Sequence, residues 1–168
     1  MKAGSLAKLA VILVMYRQKQ NLELLYSSLA GQSFKDFKIY FVDNNPDSSD
    51  SGFSALLNEQ FKLDIEYISA GRNTGFAGGN NLGAEKAIAA GCEYVFFLNN
   101  DTIIESSCIE HLLTSIENEP RVAAASPIIF FWEGDKVKKR VQEFGSSADF
   151  NSYTIKKHFE GSDYSLSS

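Results

Sequence analysis

From residue 9 to residue 131, short apolar runs of strand length alternate with longer stretches in which apolar residues recur three and four positions apart. The runs are LAVILVMY at 9–16, FKIYFVD at 37–43, IEYISA at 65–70, YVFFL at 94–98 and VAAASPIIFF at 122–131. Such alternation predicts βαβ units and a mainly parallel sheet, because parallel neighbours need a crossover long enough to hold a helix. The unbroken β-branched and aromatic character of the first and fourth runs predicts strands covered on both faces. Between the runs, Leu22, Leu25 and Leu29 share one helical face; Phe53, Leu56, Leu57 and Phe61 share another; Ile109, Leu112, Leu113 and Ile116 follow the i, i+3, i+4, i+7 rule. The stretch after Gly75 is rich in Gly and Ala, which weakens intrinsic helicity yet lets a helix approach a sheet closely, and Gly91 is placed to end it.

The rhythm stops near Glu133. The segment 133–168 is polar, basic at Lys136, Lys138, Lys139 and Arg140, and poor in apolar runs, so it is expected to form a hairpin followed by a flexible or truncated tail. Residues 1–132 are expected to form one binding domain, in keeping with a total of 168 residues and 44% hydrophobic content. With 21 acidic against 16 basic residues, nucleic acid is not an expected partner, because such binding rests on phosphate neutralisation by Lys and Arg. The eight apolar residues at 9–16 fall well short of the roughly 20 that span a bilayer. Two cysteines, Cys92 and Cys108, give neither a disulfide framework nor a zinc spacing, which fits a reducing cytoplasm. His111 and His158 carry no partner pattern.

In open α/β sheets the ligand crevice lies outside the carboxyl ends of the strands. The residues that follow the first four runs are Tyr16 to Asn21, Asp43-Asn44-Asn45, Gly71-Arg72-Asn73-Thr74-Gly75 and Asn99-Asn100-Asp101. Polar groups able to hold a base, a ribose and phosphates would converge there, although Asn, Asp and Gly are also ordinary turn residues. No glycine fingerprint follows the first run and no Walker A sequence occurs, which disfavours a dehydrogenase and a P-loop NTPase. Asp101, a carboxylate at a strand end, suits Mg²⁺ or Mn²⁺, ions that take one or two protein carboxylates and fill the rest of their shell with phosphate oxygens and water.

These segments resemble a known family. The stretch from VILVMYRQKQ to FVDNNPDSSDS, then ISAGRNTGFAGGNNLG, then EYVFFLNNDTIIE, is similar to the donor-binding half of family 2 glycosyltransferases, nearest their rhamnosyltransferase-like branch, over residues 9–131. The resemblance implies a nucleotide-diphospho-sugar binding fold of the GT-A type, a Rossmann-like mainly parallel sheet flanked by helices and C-terminally incomplete here. It places Tyr16 at the nucleotide pocket and makes Asp43 the carboxylate that recognises the base, with Asn44 and Asn45 beside it. Arg72, Asn73 and Gly75 match the loop before the third helix, and Asn81 an asparagine within that helix. Asn99, Asn100 and Asp101 match the D-x-D-type motif, whose last Asp contacts the divalent metal on the diphosphate. Asn at the first two positions departs from that motif and leaves one carboxylate.

The implied reaction transfers a sugar from a nucleotide-diphospho-sugar donor to a hydroxyl of a glycan or lipid-linked acceptor, in the cytoplasm or at the inner face of the membrane, where the protein would associate peripherally. No catalytic residue is assigned. The resemblance puts the general base in an acidic pair well downstream, and Glu160 and Asp163 stand too near the end of the sequence to take that role. Two other readings stay open: a non-catalytic nucleotide-sugar binding or interaction module with the same fold, and an unrelated α/β domain of flavodoxin type, which a different strand order would reveal.

Overall fold

Seven uncharged residues, LAVILVM, form β1 (Leu9–Met15), and six of them are buried. A strand of this character needs neighbours on both sides and cover on both faces, and it has hydrogen-bonded neighbours on both sides. It pairs in parallel with β2 (Phe37–Asp43), in register from Leu9↔Phe37 to Met15↔Asp43, and on its other side with β4 (Tyr94–Leu98), from Leu9↔Tyr94 to Leu13↔Leu98. β3 (Ile65–Ser69) adds to the outer edge of β2, ending on the pair Asp43↔Ser69. The computed structural model describes residues 7–17, 22–47, 52–133, 136–143, 146–149 and 154–157.

The sheet order β3-β2-β1-β4 follows from the connections. α1 (Leu22–Ala30) and α2 (Phe53–Phe61) carry the chain outward from β1 to β2 to β3, and α3 (Gly75–Ala89) brings it back across to the far side of β1. Because βαβ crossovers are right-handed, the reversal puts α3 on the face opposite α1 and α2. This is the first part of the Rossmann order and differs from the flavodoxin order, which begins 2-1-3. The reversal point lies between β1 and β4, so the crevice opens at the ends of those two strands.

α3 lies close against the sheet because two of its residues lack side chains. A Cβ at Gly83 would stand 2.6 Å from Ile12 Cγ2, and one at Gly79 would stand 2.6 Å from Val14 Cγ1. Ala87 of the helix joins Ala10, Ile12, Tyr40, Val42 and Ile68 of the sheet in one buried cluster. The helix ends as its glycine suggested: Gly91 has φ +81°, and the Cys92 amide donates to the Ala87 carbonyl, closing the last turn. On the opposite face Leu25, Tyr26 and Leu29 of α1 are fully buried, and the Tyr26 ring lies 5.8 Å from that of Phe61 on α2.

The chain divides into two compact units, Met1–Ile109 and Glu110–Ser168, and the four-stranded sheet belongs to the first. α4 (Cys108–Glu117) starts at the end of that unit, with Ile109 and Leu113 buried. The fifth apolar run departs from expectation. Residues 122–128 have no regular structure, and β5 (Ile129–Glu133) pairs antiparallel with β6 (Lys136–Glu143) instead of joining the parallel sheet. Three alanines contribute little strand propensity, and Pro127 cannot donate to a ladder. A second antiparallel pair joins β7 (Ser146–Asp149) to β8 (Thr154–Lys157). Lys136, Lys138, Lys139 and Arg140 lie on β6, whereas His158, Glu160 and Asp163 fall outside the described residues.

Candidate functional site

Asp43 closes β2 and is paired with Met15 on one side and Ser69 on the other. Strand alternation turns its side chain to the same face as Phe41 and Ile39, where it is buried. Its Oδ1 accepts from the Asn45 backbone amide at 2.9 Å and from Asn45 Nδ2 at 2.6 Å, while its Oδ2 accepts from the Tyr67 hydroxyl at 3.1 Å. Tyr67 reaches the carboxylate because it stands opposite Phe41, two residues before the Asp43↔Ser69 pair, and its ring packs 6.0 Å from that of Phe41. Asn45 also binds the loop after β1, accepting from the Arg17 amide at 3.0 Å. Arg17 takes a left-handed backbone, φ +58°, and its guanidinium lies 4.9 Å over the half-exposed ring of Tyr16. Asp43 and Asn45 are thus brought together at the end of β2, beside the loop after β1 that carries Tyr16 and Arg17.

Asn44, one residue further on, belongs to the opposite face. It is 1% exposed, its Nδ2 donates to the Gly75 carbonyl at 2.9 Å, and its Oδ1 accepts from Thr74 Oγ1 at 2.9 Å. Its backbone amide donates to the Met15 carbonyl. Both ends of the side-chain amide are therefore engaged within the protein, and Asn44 fastens the loop before α3 to the end of β2. In that loop Gly71 and Gly75 have φ +65° and +72°, and the Gly75 amide donates to Asn73 Oδ1, a tight turn that launches the helix. Arg72 and Asn73 are exposed at the same edge. Asn81 is exposed on α3, six residues and about 9 Å along the axis from the start of the helix, whereas its neighbour Asn80 is buried and donates to the Phe76 carbonyl.

Asn99, Asn100 and Asp101 form the turn after β4, on the other side of β1, where the Asn99 carbonyl accepts from Thr102 Oγ1 at 2.7 Å. Asn99 and Asp101 are exposed. The chain that follows is fastened to α1 through Gln32, which is 1% exposed. Its Nε2 donates to the Ser28 and Glu105 carbonyls, and its Oε1 accepts from the Ile109 amide. The Ser33 amide adds a bond to the Ser106 carbonyl at 2.7 Å, and Ser28 Oγ accepts from the Ile104 amide. Among the described residues no three of His, Cys, Asp and Glu cluster to hold an ion by themselves. The Asp101 carboxylate, with no hydrogen-bond or ion-pair partner among them, fits a hard cation that takes one carboxylate and completes its shell with phosphate and water.

Reading along the sequence found the loop residues and missed those that hold them. Tyr67 lies in a strand and Gln32 just past the end of α1, with nothing local to mark them, and Thr74 stood in the polar loop without an assigned role. The one available signal was register: with β2 and β3 parallel, Tyr67 falls on the Asp43 face.

A family model described as Glycosyl transferase family 2 matches residues 10–167. The chain belongs to glycosyl transferase family 2. This family 2 chain is 32% identical over 132 residues to the low-salt glycan biosynthesis hexosyltransferase Agl10 of Haloferax volcanii, a match covering 78% of the chain and 39% of Agl10. It thus spans about two fifths of that curated relative. Among solved structures it is similar to S. aureus TarS 1-349 in complex with UDP, at 25% identity and a TM-score of 0.54, over 66% of this chain and 32% of that one. A second TarS 1-349 structure matches 82% of this chain and 41% of its own, at 20% identity and a TM-score of 0.55. These likenesses and the parallel four-stranded sheet flanked by helices give the family 2 chain a GT-A type fold. No helix among its described residues is long and apolar enough to cross a membrane.

Proposed function

We propose that this chain carries the donor-binding part of a glycosyltransferase that moves a sugar from a nucleotide-diphospho-sugar to an acceptor hydroxyl in glycan or polysaccharide synthesis. The observation that supports this reading is the sheet order, which sets the ends of β2, β1 and β4 side by side next to the point where the order reverses, with Asp43, Tyr16 and the Asn99-Asn100-Asp101 turn at those ends in the sequence. Asp43 receives the base, with Tyr16 and Arg17 at its rim. Arg72 and Asn73 approach from the loop before α3, and Asp101 faces the diphosphate. The hexosyltransferase relative and the UDP complex of TarS support a sugar donor with a nucleoside diphosphate leaving group. A rhamnosyltransferase-like specificity rests on the motif resemblance.

Asp101, aided by the amide oxygens of Asn99 and Asn100, would hold Mg²⁺ or Mn²⁺. When bound, such an ion would supply positive charge beside the departing diphosphate. The acceptor hydroxyl attacks the anomeric carbon in line with the leaving diphosphate, and a carboxylate must take its proton. Glu160 and Asp163, the acidic residues nearest the end of the sequence, lie outside the described residues. A glycan or lipid-linked acceptor, and a cytoplasmic site at the inner membrane face for the latter, go with this reading. Asn at two of the three motif positions favours a second one, a module that binds nucleotide sugars without transferring them.

Calorimetry of the chain with UDP, dTDP and GDP tests the donor site. Binding that weakens at least about tenfold with EDTA or in Asp101→Ala is expected. Failure of all three to bind in Mn²⁺ would sink both readings, and binding without sugar transfer in the full-length protein would favour the second.

A further inference from the structure

An ionised carboxylate has about four acceptor positions, two on each oxygen. At Asp43 three are taken from within the protein: the Asn45 amide and Asn45 Nδ2 fill Oδ1, and the Tyr67 hydroxyl occupies one side of Oδ2. Asp43 is 7% exposed, and one acceptor position on Oδ2 is left over. We propose that Tyr67 is a specificity-determining residue, which together with Asn45 restricts Asp43 to a single further donor and so selects a pyrimidine imide, uracil or thymine, over guanine. The inference rests on the reading of Asp43 as the base contact.

The two classes of base differ in what they offer a carboxylate. Uracil and thymine present one N–H, at N3, between two carbonyls. Guanine presents two adjacent donors, N1–H and the N2 amino group, which need two open acceptor positions on the carboxylate. Against Asp43 one guanine donor would be left buried and unpaired, a penalty that weakens binding more than a matched hydrogen bond strengthens it. Cytosine has an acceptor at N3 and would set it against the carboxylate. Tyr67 reaches Oδ2 from a neighbouring strand and its ring stacks on Phe41, which positions its hydroxyl at the carboxylate.

The test is calorimetric titration of the full chain with UDP, dTDP and GDP in Mn²⁺, in wild type, Tyr67→Phe and Asn45→Ala, with circular dichroism to verify folding. Wild type is expected to favour UDP and dTDP over GDP by about tenfold or more. Tyr67→Phe, which keeps the ring stack and frees a position on Oδ2, is expected to shrink the UDP-to-GDP ratio by about tenfold. Asn45→Ala frees one position on Oδ1 and shifts the ratio the same way, so it carries the test if Tyr67→Phe does not fold. A wild-type preference for GDP, or a ratio unmoved in a folded variant while Asp43→Ala abolishes UDP binding, overturns this inference and leaves the donor site standing. Absence of binding by any nucleoside diphosphate overturns both.

Discussion

A methyl group at Gly83 would meet Ile12 Cγ2 at 2.6 Å and Val42 Cγ2 at 3.2 Å, both on rigid β-branched side chains in the centre of the sheet. Alanine there would raise helix propensity by up to about 1 kcal/mol, but overpacking of this kind costs about 1–3 kcal/mol. Gly83→Ala is therefore expected to lower the urea midpoint, and an unchanged or higher midpoint would show that α3 can lift off the sheet. Asn44 sets a similar constraint with polar groups. Asn44→Ala leaves Thr74 Oγ1 and the Gly75 carbonyl without their buried partner, a loss of about 2 kcal/mol or more. UDP affinity should fall with it, because the turn carrying Arg72 and Asn73 loses its fastening. The VDNN stretch suggested three neighbouring ligand contacts, but strand alternation separates them: Asp43 turns to one face and Asn44 to the other.

At the scale of elements, Gln32 ties the end of α1 to the chain between β4 and α4. Its side chain bonds Ser28, Glu105 and Ile109, residues up to 77 positions away, and all its partners are backbone groups. Gln32→Ala should cost about 2–4 kcal/mol through those stranded groups. If the Asn99-Asn100-Asp101 turn depends on this anchor, Mn²⁺-dependent nucleotide binding will weaken in Gln32→Ala even at temperatures where the variant is fully folded. Binding equal to wild type would show that the turn holds its shape by itself. The four parallel strands could be read from their apolar runs to within a residue. The cover on both faces expected of the first and fourth runs is found at β1 and not at β4, where Leu98 alone is buried and Phe97 is 52% exposed. The fifth run misled because an apolar segment does not specify its partner: residues 122–128 remain irregular and β5 turns back upon β6. α3 has no apolar periodicity, and its small residues were the better guide, since a helix pressed onto a sheet needs room for backbone more than an apolar stripe.

For the whole molecule, two tyrosines couple stability to alkaline pH. Burial, and secondarily the Cys92 thiol, push Tyr40 up from 10.0 to about 12, and burial raises Tyr26 as well. A raised folded-state value means that the unfolded chain loses its proton first. The stabilisation is intact below pH 10 and is lost as pH climbs from about 10 to about 12, at up to about 1.4 kcal/mol per pH unit for each such tyrosine. Thermal midpoints measured from pH 8 to pH 12 should drop across that window, with a shallower slope in Tyr40→Phe; equal slopes would place the coupling elsewhere. By itself the sequence determined the four parallel strands, the helices between them and the loops that carry polar groups, because period and punctuation are local properties of a chain. Only the tertiary structure decided which of those groups meet. The partners of Asp43, Asn44 and Gln32 lie up to 24, 31 and 77 residues away, and only strand order and register bring them within hydrogen-bond reach.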